Sequence, residues 1–379
     1  LWTIVQTITE YIPATFRDTM DQLDRHPGYR FSFEGTHRYR LLREYYPDLW
    51  ERLKTYSADG RWSPAGSALE GGDVNIPSPE SLVRQFLYGN DFFRRELGRA
   101  STDVFLPDCF GFGWALPSVA AHCGLNGFST QKLGWGSAYG IPFPVGRWRG
   151  PDGAEIVAAL DGTNYVGQIS EDLSQAQSSL DALDLEESKG GPRLGYRYFG
   201  TGDRGGPVSE SSLDWLDASM AGTGPVHVVS APSDRFFNEL SPEQVAALPV
   251  HGTDLLLTTH GTGAYTSQAA MKRWNRRNEQ LGDAAERASL AASVLAALPY
   301  PGAWLADAWF RFLVHQFHDD VTGTSIPEVY PYSWNDERIA QVRFGTALAA
   351  AVGAVAAGMD TTAEGVPLVV YNATAHDRQ

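Results

Sequence analysis

The sequence predicts an α/β protein, a mostly parallel β/α domain followed by a three-helix bundle. Three observations carry this. From residue 1 to about 265, short apolar runs of strand length alternate with segments of helical period, the pattern of a largely parallel sheet. After residue 266 the short runs stop, and three long helical patterns follow with short links, as in a bundle. The chain has 379 residues, more than one average domain, so two or three units are expected. The expected boundaries are 1–265 for the α/β domain and 266–362 for the bundle. Residues 363–379 begin a further region, because "VPLVVYN" (366–372) reads as a strand.

Each element has a local reason. "YRFSFEG" (29–35) is a strand closed by Gly35. "SPESLVRQFLYGNDFFRREL" (78–97) offers Ser78 as N-cap and Pro79 at the first helical position, the arrangement that satisfies a helix start. "DVFLPD" (103–108) is a short strand, followed by a Gly-rich turn and the helix "LPSVAAHCG" (116–124), ended by Gly124. "GFSTQKL" (127–133) is the next strand, and residues 145–160 form a hairpin through Pro151-Asp152-Gly153. "PVHVVSAP" (225–232) is expected as another strand. The bundle helices are expected at 267–298, 302–320 and 336–358. The second repeats Trp304, Ala308, Phe312 and Leu305, Trp309, Leu313 at helical spacing. The cluster Arg273, Arg276, Arg277 reads as a solvated helix face. The apolar run 344–359 reads as a packed helix rather than a membrane span.

Composition narrows the partners. A net charge of −15 with a pI near 5.0 argues against nucleic acid or an anionic membrane. Cys109 and Cys123 make no disulfide framework or CxxC pair, and no stretch reads as a signal peptide. A cytoplasmic location is the expectation; a homo-oligomer stays open.

Four stretches could carry chemistry. Residues 104–131 contain one formal charge, Asp108, where a strand ends and "CFGFGW" begins. Ligands of open α/β sheets bind beyond such carboxyl ends. Asp108 is either a turn cap or, beside Phe110, Phe112 and Trp114, a nucleophile or metal ligand under a sugar. "HQFHDDVTGTS" (315–325) places His315 and His318 three apart, with Asp319 next to them; packing histidines and a weak metal signal are both open. "FGTGDRGGP" (199–207) contains a literal GxGxxG, but lacks the acidic residue and early position of a dinucleotide site. It is otherwise a flexible loop exposing Asp203 as a general acid, or a plain turn. "THGTGAYTSQ" (259–268) could turn His260 and Tyr265 toward a cleft between the domains.

Taken together, these pieces resemble the family 38 glycoside hydrolases, the retaining α-mannosidases. "LPDCFGFGWALPSVAAHCGLNGFSTQKLGW" is similar to the family's nucleophile segment and "HQFHDDVTGTSIPEVY" to its late zinc-histidine segment. "GDVNIPSPESLVRQFLYGNDFF", "GTGDRGGP" and "THGTGAYTSQAAMKRWNRRNE" match in the same order. The resemblance implies an α/β domain, a three-helix bundle and then β-sandwich regions, so that 363–379 would begin a truncated β-sandwich. It implies Asp108 as both nucleophile and zinc ligand, and His318 as a second ligand of Zn2+. Asp203 is the implied general acid/base, Phe110 lies beneath the sugar and Tyr265 approaches it. His260 and Asp319 join the substrate-binding set, and the substrate is a mannose-containing oligosaccharide or glycan. One departure stands out. The family's other two zinc ligands come from a His-x-Asp shortly before a Trp-Leu-Trp; here Leu1-Trp2 resembles the tail of that segment, and the His and Asp are absent. The chain is therefore expected to be a fragment. The alternatives are an inactive carbohydrate-binding relative and a dinucleotide-dependent oxidoreductase using Gly200 to Gly205.

Overall fold

The structure, a computed structural model, describes residues 3–362, 364–374 and 376–377. Nine strands form among them. β1 (Phe31–Glu34) and β2 (Trp62–Ala65) pair in parallel. Five others form one sheet in the order β3-β5-β7-β6-β8: β3 (Asp103–Phe105), β5 (Gly127–Ser129), β7 (Glu155–Ala159), β6 (Val145–Arg149) and β8 (Val250–His251). β3, β5 and β7 run parallel; β6 is antiparallel to β7 because a hairpin joins them, and β8 is parallel to β6. β4 (Gly111–Phe112) and β9 (Leu255–Leu256) make a small antiparallel pair.

The two parallel pieces meet at β2 and β3 through side chains instead of a ladder. Gly66 donates its N–H to Asp103 Oδ1 at 3.1 Å, and Ser67 Oγ donates to the Asp103 carbonyl at 2.8 Å. The carboxyl ends of β3, β5 and β7 open on one side of the sheet. One core lies under that side, with Val104, Phe112, Phe128 and Trp148 buried in it. A second, aromatic core of Phe16, Tyr39, Trp50 and Trp62 packs behind β1 and β2.

Most sequence expectations hold, and their failures have reasons. The helix Pro79–Leu97 starts where Ser78 accepts the Ser81 N–H and stops at left-handed Gly98. Residues 225–232 alternate half-buried and exposed as a strand would, yet no strand forms there. Two prolines remove donors, and the segment reaches β1 through side chains: Arg30 N–H to Ser230 Oγ and Ser233 N–H to Ser32 Oγ. Residues 366–370 are likewise extended but unladdered, with Val366, Leu368 and Val370 exposed. Ala363, Ala375, Arg378 and Gln379 of that expected β-sandwich start, and Leu1-Trp2 of the expected zinc segment, lie outside the described residues.

The bundle helices are Ala269–Leu295, Gly302–Val314 and Tyr330–Ala357. Their core is Ala285, Trp309, Phe312, Ala340 and Phe344, joined by Leu69 from the loop after β2. The third helix is long and apolar enough to cross a membrane by length and composition, and Phe344, Ala347 and Ala351 on it are buried inside the protein. The second helix ends at Val314, six residues before the predicted Asp320. Its end is drawn into polar contacts. His315 is buried, with Nδ1 2.6 Å from Asp320 Oδ2 and Nε2 3.4 Å from Asp336 Oδ2. So His315 serves the bundle, and it does not share a face with His318.

This buried cluster sets a pH dependence. Burial opposes the charge on His315, but the hydrogen bonds it donates to Asp320 and Asp336, with their charges, outweigh it and raise the imidazole to about 10. Burial raises the neighbouring Glu337 carboxyl to about 8. Both folded-state values lie above the unfolded ones, so their stabilisation is present at low pH and is lost as pH rises through about 8 and about 10. The melting temperature of the protein is expected to fall between pH 7 and pH 10 (about), and Glu337→Gln is expected to flatten the lower part of that fall. A melting temperature that rises over this range would contradict the assignment.

Candidate active site

Asp108 sits three residues past the end of β3, before the β4–β9 pair pins the following loop. Its carboxylate is 23% exposed and gripped on both oxygens: Lys132 Nζ donates to Oδ1, and His318 Nε2 stands 3.3 Å from Oδ2. Burial would raise this carboxyl; His318 and Lys132 together hold it well below the ordinary carboxylate range. Lys132 is 2% exposed and comes from the turn after β5. A buried ammonium of this kind is tolerable because its charge is paired. Sequence reasoning missed Lys132, although its position just past a predicted parallel strand was a usable signal.

His318 arrives from the bundle side. Its Nδ1 is 2.6 Å from the Gly71 carbonyl, which takes the ring proton and leaves Nε2 facing Asp108. That is the usual way a metal-binding imidazole is oriented. Two ligands about 2.0–2.1 Å from a tetrahedral zinc would stand about 3.3 Å apart, the separation found here. Asp108 and His318 therefore fit zinc as two of its ligands. Among the described residues no cluster of three or more His, Cys, Asp or Glu side chains completes the set.

Phe110 is buried at 7%, its ring 5.9 Å from His260, 6.3 Å from His318 and 5.2 Å from Lys132 Nζ. His260 is half-buried and lies 4.9 Å from the Trp135 ring. Burial and the Lys132 charge lower its affinity for a proton. The approach of the two loops requires Gly261: a Cβ there would stand 2.2 Å from the Phe110 ring, and its φ is +72°.

Tyr265 is also at the site, but its hydroxyl is committed. It donates to Asp73 Oδ2 at 2.8 Å and accepts from Asn75 Nδ2 at 2.7 Å, with the Phe110 carbonyl 3.3 Å away. Tyr265 thus braces the Phe110 loop. Asp319 is half-buried; its carboxylate accepts from Thr324 Oγ1 at 2.7 Å, and its carbonyl accepts the Thr324 and Ser325 N–H groups.

Asp203 is exposed on its Gly-rich loop, in the left-handed region at φ +59°. Its Oδ1 accepts from Tyr165 OH at 2.6 Å. Burial, and then the neighbouring carboxylates of Asp203 and Asp108, raise this hydroxyl above the usual tyrosine range, so the tyrosine lies near both. Gly202 is needed for this, because a Cβ on it would stand 1.9 Å from the Tyr165 ring. No strand leads into residues 199–207, so the GxGxxG lacks the strand-turn-helix setting of a dinucleotide loop. Tyr165 was not legible in the sequence: it stands in an irregular stretch, 38 residues before its partner.

Comparison with known proteins agrees with this architecture. Residues 1–267 match the glycosyl hydrolases family 38 N-terminal domain, and residues 259–344 match the alpha mannosidase middle domain. Alpha-mannosidase 2C1 of Homo sapiens is 30% identical over 362 residues, 94% of this chain and 34% of that protein. Alpha-mannosidase G of Dictyostelium discoideum is 31% identical over 334 residues, 87% of this chain and 30% of that protein. The chain spans about a third of the length of these relatives. Among solved structures, an alpha-mannosidase from Enterococcus faecalis V583 superposes with a TM-score of 0.74 at 19% identity, covering 93% of this chain and 40% of that one. A 4-alpha-glucanotransferase from Thermococcus litoralis gives 0.57 at 13% identity, covering 89% and 57%. At such identities these two likenesses speak to the fold alone. With its first 267 residues matching the N-terminal domain and the bundle matching the middle domain, the chain belongs to glycosyl hydrolase family 38.

Proposed function

We propose that this chain carries the catalytic carboxylates of a retaining, exo-acting α-mannosidase that removes terminal mannose from oligosaccharides or glycans. The observation that carries the reading is Asp108, held anionic by Lys132 and His318, with Asp203 presented on the Tyr165 hydroxyl nearby. Two carboxylates set close to one tyrosine suit the nucleophile and proton donor of a retaining pair. A retaining pair needs about 5–5.5 Å, and an inverting pair needs about 6.5–9.5 Å.

The roles follow from the environments. Asp108, anionic and held on both oxygens, attacks the anomeric carbon. A bond from its carboxylate oxygen to that carbon forms as the glycosidic C–O bond breaks, and Asp203 supplies the proton to the leaving oxygen. In the second step Asp203 takes a proton from water, whose oxygen displaces Asp108 and releases mannose with its original configuration. Tyr165 orients Asp203 toward the bond that Asp108 attacks. Lys132 keeps Asp108 ionised between turnovers. Asp108 and His318 would be two of the ligands of a zinc ion; when bound there, the ion would supply Lewis-acid polarisation of the sugar hydroxyls.

The direct test is hydrolysis of an aryl α-mannoside. Asp108→Asn is expected to abolish turnover. Asp203→Asn is expected to slow poorly activated substrates by about 10²–10⁴-fold, the usual weight of a general acid, while sparing those with a good leaving group. Equal losses on both substrate types would remove Asp203 from that role. A chelator is expected to lower activity and zinc to restore it; activity indifferent to both would leave Asp108 and His318 as a plain ion pair. Gly202→Ala is expected to depress kcat with little change in melting temperature, because it displaces Tyr165 and Asp203 without opening either core. Unchanged kcat would separate the loop from the chemistry. A folded, zinc-supplied protein without any hydrolysis would favour the carbohydrate-binding reading.

A further inference from the structure

Trp135 is the one large aromatic at the site that the roles above do not use. It ends the short turn Lys132–Trp135 beyond β5, and so stands with Asp108 past the carboxyl ends of the parallel strands. The residue keeps 44% of its surface in solvent, an arrangement that forgoes the burial a tryptophan ordinarily provides.

Its orientation is nevertheless fixed. The indole Nε1 donates to Gln131 Oε1 at 3.0 Å, and Gln131 Nε2 donates to the Pro107 carbonyl at 3.0 Å, one residue before Asp108. The Lys132 ammonium that grips Asp108 lies 4.8 Å from the ring centroid, and the His260 ring packs at 4.9 Å. The turn is tied down behind it, where Thr258 N–H donates to the Gly136 carbonyl at 2.9 Å.

Trp114, Trp215, Trp304 and Trp334 are comparably exposed. Trp114 and Trp304 spend their indole N–H on the Arg149 and Arg343 carbonyls, and neither adjoins the carboxylates. Trp135 is set apart by its contact with Lys132, which places its surface one side chain away from the reacting oxygen. With its single donor turned inward, what it offers there is an apolar π surface. A pyranose presents a matching face of polarised C–H bonds.

We propose that Trp135, flanked by His260, is the platform of a second sugar subsite, taking the pyranose from which terminal mannose is cut. This rests on the mannosidase reading and extends it. The subsite selects glycans over simple mannosides, because the second ring gains a stacking contact that a small leaving group lacks.

Two substrates with the same terminal sugar test it: α-linked mannobiose and methyl α-mannoside. Trp135→Ala is expected to lower kcat/KM for mannobiose about five- to tenfold, the weight of an aromatic contact. The loss should fall mainly on KM, with methyl α-mannoside nearly unaffected, and Trp135→Phe should recover most of it. Equal losses on both substrates would show that Trp135 acts only through Lys132 and Asp108, and no loss on either would remove it from binding; each overturns the subsite. If the wild-type protein hydrolyses neither compound, the mannosidase reading fails separately. Saturation-transfer NMR with mannobiose then decides the subsite: transfer to the reducing-end ring that Trp135→Ala abolishes supports it, and absence of transfer overturns it.

Discussion

The structure is organised around a carboxylate that needs two cations. Asp108 lies three residues past β3 in apolar surroundings, where an isolated anion would be expensive. Lys132 reaches it from the next parallel strand and His318 from the far side of the chain. Breaking a buried pair by removing one partner costs about 3–5 kcal/mol, so the three residues constrain one another and the elements that carry them. Gly71 extends the constraint to the loop after β2, since its carbonyl sets the direction of the His318 ring.

That arrangement couples the α/β domain to the bundle. His318 belongs to the connection between the second and third bundle helices, so its contact with Asp108 depends on how the domains pack. Buried amides secure the packing: Gln85 donates to the Leu313 carbonyl at 2.7 Å and to Gln316 Oε1 at 3.2 Å. Lys272 donates to the carbonyls of Ala264, Ser267 and Thr322, binding the Tyr265 turn to the loop after His318. Paired polar groups in such a seam are directional. They fix one register between the domains where apolar contact alone would leave several.

On the opposite side of the site the restraint is looser. Asp203 is exposed on a glycine-rich loop, in a backbone region uncommon for residues other than glycine. Its side chain is held by the Tyr165 hydroxyl at 2.6 Å. Under the proposed mechanism, a firmly held nucleophile facing a proton donor on a lighter loop would suit a site that admits and releases a glycan, because the loop could move without disturbing Asp108.

The sequence by itself determined the layering, the positions of the long helices and the hairpin, and the candidacy of Asp108, His318 and Asp203. These follow from local causes: hydrophobic period, caps and stops such as Ser78 and Gly124, and titratable residues in the segments between elements. It overextended the second bundle helix, because the run through Phe317 keeps helical spacing while His315 satisfies itself on Asp320 and Asp336. It placed a strand at 225–232, because alternation records which side chains face inward and not whether a neighbour supplies a ladder. Tertiary structure alone decided that Lys132 neutralises Asp108, that Tyr165 holds Asp203, and that Tyr265 braces a loop. Each is a contact between residues remote in the chain or hidden in irregular segments. No periodicity marks such contacts, and only the close packing of the folded chain brings them together.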